Sequence, residues 1–224
     1  MWLYKIKMVK AHLICYMLYL AMDEDLRRKQ ISEVVIKIDS QEFIENMFAA
    51  ALKIDDYLTI VEAVQQTGFI ADKDFQKKFN AFFRIRQRSN AWYEKYYELL
   101  REQIKAKRPF EYILKVLYNI NGKIEVSFSS KLIAAVDPTR PIWDSNVLRK
   151  LGCTQEWNDV AKKTPAERIE RAVQIYNCMD KAYDKFIASE EGRACIGKFD
   201  RILPRYKDKL SNVKKVDYIL WGTK

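Results

Sequence analysis

Apolar residues recur along this chain at three- and four-residue intervals and rarely alternate, which is the spacing of amphipathic helices rather than strands. From Ser40 onward, Phe43, Ile44, Met47, Phe48, Ala51 and Leu52 share one helical face, which runs on past Val61 and Val64 to a stop at Thr67-Gly68. Asp72 is placed to cap a second helix with Phe75, Phe79, Phe82 and Phe83 turned inward. Ser89 opens a third, carrying Trp92, Tyr93, Tyr96, Tyr97 and Leu100. Pro109 suits the first turn of a helix bearing Tyr112, Ile113, Val116 and Leu117, and Asn121-Gly122 closes it in the left-handed region.

Farther along, Thr164-Pro165-Ala166-Glu167 has the form of a capping box with proline at the first helical position. The helix it starts presents Ile169, Ala172, Val173, Tyr176, Met179, Tyr183 and Phe186. A last helix, around 213–221, packs Val216, Ile219 and Leu220. Together these patterns predict an all-α fold: one helical domain over 1–224, compact and two-lobed, with its cleft near 127–150.

The N-terminal stretch differs in character. Lys5, Lys7 and Lys10 precede an apolar run over 11–22, as in a secretory leader, but no small-x-small cleavage site follows. The run is also too short to span a bilayer. A buried first helix is the expectation, and a membrane is not an expected partner.

Composition narrows the partners. With 49% hydrophobic and 13% aromatic residues, the chain is that of a folded protein. Lys and Arg number 40 against 30 Asp and Glu, a formal net charge of +10 that suits a polyanion, nucleic acid above all. The four cysteines, 15, 153, 178 and 195, show no CxxC spacing, so no metal site or cluster and no cofactor is expected. Cys178 and Cys195 read as gap fillers in a reducing cytoplasm. His12 is the sole histidine, so neither a histidine metal cluster nor a Ser-His-Asp triad can be assembled.

The most informative segment is the middle one. Ser127 or Ser129 is placed to cap a short apolar helix whose first turns carry Lys131, and Asp144 is placed to cap the next helix. Taken alone, these are a solvated lysine and a helix cap. An amine near a helix N-terminus has its pKa lowered, which suits a nucleophile. A capping carboxylate that faces a cleft suits the stabilisation of an oxocarbenium-like centre. Around Phe82-Phe83-Arg84-Ile85-Arg86-Gln87-Arg88 aromatic and basic residues interleave, with Arg84 and Arg88 at helical i,i+4 spacing.

Lysine, short turn, and then Trp143-Asp144-Ser145-Asn146-Val147-Leu148-Arg149 resemble the active-site segment of the helix-hairpin-helix DNA glycosylase superfamily, the group of endonuclease III and the 8-oxoguanine glycosylases. The match falls on the aspartate, the small hydroxyl, the apolar residue and the arginine. The resemblance implies that Asp144 is the catalytic carboxylate and Lys131 the candidate Schiff-base amine. It implies DNA as partner, a duplex with a flipped base; the candidate contacts are Ser129, Ser130 and Asn146 in the matched segment, Arg84 and Arg88 in the aromatic-basic run, and Arg140, Arg149 and Lys150 close to Asp144 in sequence. The chain departs from the family at Ser127-Phe128-Ser129-Ser130, where the hairpin carries Gly-x-Gly, and at Asn146, where it carries histidine. Its lysine-to-aspartate interval is shorter, and the four-cysteine cluster of endonuclease III has no counterpart.

The expected activity is therefore excision of a damaged or modified base from DNA, in repair or in defence against phage. Two other readings stand beside it: a helical nucleic-acid-binding protein without catalysis, and a partner-binding protein whose basic N-terminal apolar helix docks a membrane or another subunit.

Overall fold

Helix ends in this chain are set largely by the side chains next to them. The computed structural model describes residues 36, 38, 40–66 and 71–221, which form ten α-helices, one short 3-10 turn and no strand among the described residues. The helices are α1 (Ser40–Gln65), α2 (Lys73–Phe83), α3 (Asn90–Ala106), α4 (Phe110–Asn121) and α5 (Val126–Val136). They continue with α6 (Ser145–Lys150), α7 (Thr154–Asn158), α8 (Pro165–Ala188), α9 (Glu190–Ile202) and, after a 3-10 turn at Pro204–Tyr206, α10 (Asn212–Trp221). The fold is all-α. The apolar run over 11–22 and the stop at Thr67-Gly68 lie outside the described residues.

Caps hold where local chemistry dictates them. Asp72 accepts the Asp74 N–H at 2.9 Å, and Ser89 accepts the Trp92 N–H at 3.3 Å. At α8 the capping box is reciprocal: Thr164 N–H donates to Glu167 at 2.8 Å, and Glu167 N–H donates back to the Thr164 hydroxyl at 3.4 Å. Gly122 ends α4 at φ 67.

Several boundaries and faces differ from expectation. Pro109 is the N-cap of α4 rather than a first-turn residue, so that Phe110 opens the helix and is buried, while Tyr112 turns outward. The apolar stripe of α1 runs Met47, Ile54, Tyr57, Ile60, Val64, which leaves Leu52 84% exposed. No serine starts α5. It begins at Val126 with Glu125 at the N-cap and no side-chain cap bond, which puts Lys131 in its second turn. The run after Phe83 is not helical. Arg84 adopts φ 54 and Gln87 φ 58, so Arg84 and Arg88 do not share a helix face.

Residues 35–224 form one compact unit. Within it α5 packs against α1, α3 and α4, and α10 packs against α1, α6, α8 and α9. A stacked Trp92–Tyr96 pair in α3, with ring centroids 4.9 Å apart, anchors the first group together with Phe79 of α2. α10 has every residue from Val213 to Leu220 buried, as a helix enclosed on all sides must. Three of those residues are charged, and each has a partner. Lys214 meets Asp217 at 2.6 Å, and Lys215 meets Asp200 at 2.7 Å. Among the described residues no helix is long and apolar enough to cross a membrane.

Candidate active site

One cleft gathers side chains from five parts of the fold. Tyr57 comes from α1, and Phe82, Phe83 and Arg84 from the end of α2. Lys131 comes from α5, Ile142, Asp144 and Val147 from the turn into α6, and Lys214, Asp217, Tyr218 and Trp221 from α10. The cleft encloses about 80 Å³ and opens to solvent beyond that. Its walls are aromatic and its polar groups few: three cations and two carboxylates.

Lys131 and Asp144 are held in register by the residue beside Lys131. The Ser130 hydroxyl donates to Ser127 O at 2.9 Å and accepts the Trp143 N–H at 2.9 Å, tying α5 to the strand-like segment ahead of Asp144. Asp144 Oδ1 accepts the Asn146 N–H at 2.8 Å, the expected cap of α6. Its Oδ2 has no hydrogen-bond partner among the described residues. Burial lowers the Lys131 pKa, Asp144 counters that by attraction, and Arg84 adds to it by repulsion. Since the helix starts at Val126, the lowering comes from desolvation rather than from a first-turn position on the helix dipole. The Lys131 ammonium also lies 5.5 Å from the Phe128 ring centroid.

The other expected contact residues scatter. Ser129 and Ser130 are fully buried, so neither hydroxyl can reach a phosphate: both lie on the inner face of α5, not in the hairpin ahead of it. That correction follows from α5 beginning before them. Arg88 turns inward and forms a bidentate pair with Glu125 at 2.8 and 2.9 Å, against the rings of Phe128 and Trp92. Arg140 pairs with Asp180 at 2.5 Å and lines a separate groove with Lys107 and Arg108. Arg84 does line the cleft, in a left-handed conformation that costs a non-glycine residue about 1–2 kcal/mol. Asn146 ties α6 to α10 through a 3.5 Å bond from its amide to Trp221 O, and it accepts from exposed Arg149 at 3.1 Å. Lys150 is half-buried in the last turn of α6.

The inner part of the cleft was not marked in the sequence. Lys214 donates to Asp217 Oδ2 at 2.6 Å, and the Tyr183 hydroxyl donates to Oδ1 at 2.8 Å, so both carboxylate oxygens are engaged. Burial opposes the Lys214 charge, but attraction to Asp217 outweighs it and the net shift is upward. Tyr57 and Tyr218 meet edge-on with centroids 6.2 Å apart, and neither hydroxyl has a hydrogen-bond partner among the described residues. At the mouth, Lys53 lies 4.3 Å from the Trp221 ring centroid, its pKa lowered by burial and then by Arg84. A signal for this region does exist in the sequence, namely a Lys/Asp pair at i,i+3 within an otherwise apolar helix.

Among the described residues no group of three or more metal-ligating side chains is present, and Cys153, Cys178 and Cys195 are free thiols. Comparison with family models, curated proteins and solved structures finds no match for the chain.

Proposed function

We propose that this cleft is the active site of a DNA glycosylase-like hydrolase that excises a damaged or modified base. The observation that carries the reading is that Lys131 and Asp144, which start from different helices, line one aromatic-walled cleft. A base flipped out of a duplex costs a few kcal/mol of stacking, and aromatic walls offset that by stacking on it again. The chain's net charge of +10 supplies attraction to the phosphate backbone.

In this reading the N-glycosidic bond breaks with its electron pair leaving on the base, and positive charge develops at the anomeric carbon. The free Oδ2 of Asp144 is the negative group nearest that charge. Water then adds its oxygen to the anomeric carbon and gives its proton to the departing base or to Asp144. Alternatively the Lys131 amine, whose lowered pKa raises its free-base fraction, makes the new bond itself.

The test is base release from duplexes carrying damaged or naturally modified bases, with wild type and Asp144→Asn compared. Asparagine keeps the cap and removes the charge, so release must stop while the fold persists. Full activity in that variant refutes the role. Borohydride trapping of a covalent adduct, lost in Lys131→Gln, separates the lysine route from the water route. One observation favours the rival reading of binding without catalysis: Asp144 is already engaged as a helix cap. Salt-dependent DNA binding with no release on any substrate would decide for that rival.

A further inference from the structure

We propose that the inner wall of the cleft, formed by Tyr57, Tyr218 and Lys214, selects bases that present carbonyl oxygens rather than exocyclic amines. The inference rests on the glycosylase-like reading and names the substrate class of the same site.

The argument is an inventory of hydrogen-bonding capacity. Two carboxylates line the cleft: Asp144, which the glycosylase-like reading assigns to the sugar, and Asp217, whose two oxygens are already engaged, by Lys214 and by Tyr183. Asp217 has little accepting capacity left for a ligand. Lys214 carries three N–H donors, no acceptor, and gives one of them to Asp217 at 2.6 Å. Two donors remain. Tyr57 and Tyr218 are 2% and 4% exposed, line the cleft, and carry hydroxyls without a partner among the described residues. Buried hydroxyls are almost always satisfied, so two orphans on adjacent rings in one cleft are the mark of groups that meet a ligand. Burial raises the pKa of both phenols, which keeps them as O–H donors.

The free capacity of this wall is therefore weighted toward donors. A base edge with carbonyl oxygens, such as the dioxopyrimidine edge of uracil, gives each donor an acceptor. An amino-bearing edge, such as that of adenine, sets N–H against the Lys214 ammonium and offers these donors one ring nitrogen where uracil offers two carbonyl oxygens. Selectivity of that kind arises from the penalty on the wrong ligand. The rings of Phe82, Phe83 and Trp221 supply stacking that any base accepts, so they add affinity without choosing.

Free uracil and free adenine are the probes, with binding to the intact chain read by NMR saturation transfer and titration. Wild type should prefer uracil, and Tyr57→Phe and Tyr218→Phe should each weaken uracil by about tenfold or more, with adenine unchanged. Phenylalanine keeps each ring and removes an unpaired hydroxyl, so thermal stability should hold or rise. Equal binding of the two bases, no binding of either, or Phe variants that bind uracil like wild type each overturn the proposal. Base release from DNA, assayed on the same preparations, reports on the enzymatic reading separately. Release without a carbonyl preference overturns the selective wall alone, whereas uracil preference without release supports the wall and removes the catalysis.

Discussion

Two adjacent serines in α5 make opposite predictions. Ser129 and Ser130 are both fully buried, but their hydroxyls have different surroundings. That of Ser130 donates to Ser127 O and accepts the Trp143 N–H, each at 2.9 Å, whereas that of Ser129 has no partner among the described residues. Ser130→Ala deletes the acceptor and leaves the Trp143 N–H buried without one, at a cost of about 1–3 kcal/mol. Trp143 is 3% exposed, so water does not reach that N–H without local opening. Ser129→Ala removes an oxygen whose desolvation nothing offsets, and the same reasoning makes it neutral or stabilising by up to about 1 kcal/mol. Urea denaturation of the two variants against wild type reads both values from the shift in midpoint at constant slope. If Ser129→Ala destabilises as much as Ser130→Ala, the hydrogen-bond explanation fails and packing volume alone accounts for both. The pair also carries a functional readout. Since Ser130 sets Asp144 against Lys131, any Asp144-dependent base release should fall in Ser130→Ala and persist in Ser129→Ala.

Four further outcomes are expected. Lys214→Met strands Asp217 in the core and should cost about 3–5 kcal/mol in denaturant unfolding, while a Lys214→Met/Asp217→Leu double variant should recover most of it. Asp180 is pushed up to about 6 from 3.8, by burial against the pull of Arg140. Its contribution is therefore complete below 3.8 and lost as pH rises through 6. At about 1.4 kcal/mol per pH unit that gap is worth up to about 3 kcal/mol, so Asp180→Asn should flatten the stability profile between those pH values. Any borohydride-trappable adduct at Lys131 should grow with rising pH and level off below the ordinary lysine value of 10.5, since the amine must lose its proton to react. Arg84→Gly relieves a left-handed residue while removing a cleft cation, so DNA binding should weaken, with a salt slope shallower by about one, without loss of thermal stability.

What the sequence disclosed was what short-range chemistry controls. Asp72, Ser89, Thr164 with Glu167, and Gly122 all terminate helices through groups within four residues of themselves, and each could be read in place. The Lys131/Asp144 juxtaposition was also legible, because a single turn separates their helices. Positions decided by tertiary packing were not. Ser127 and Ser129 look like cap residues, but α5 starts earlier, at Val126, and turns Ser129 inward. Arg84 and Arg88 keep helical spacing in the sequence while the chain leaves the helix at Arg84, and Glu125 draws Arg88 inward from 37 residues away. Lys214, Lys215 and Asp217 were not singled out, because the enclosure of α10 by four helices is set by segments distant in the sequence.

The meeting of α1 and α10 has a kinetic side. Asp55 and Arg205, an ion pair at 2.6 Å beside this junction, are 150 residues apart, and Tyr57 and Tyr218 close the same loop. Closure entropy grows only with the logarithm of loop length, so the junction is cheap to hold once made. It is slow to find, since non-local contacts reward the chain only after the intervening helices have settled. Substitutions at Tyr57 or Tyr218 should accordingly change the unfolding rate and leave the folding rate nearly untouched. Lys131 and Asp144 lie close together in the sequence, so the same reasoning expects them to meet before the α1–α10 junction closes. On that order the pair would stand for a time during folding without the aromatic wall that shares its cleft.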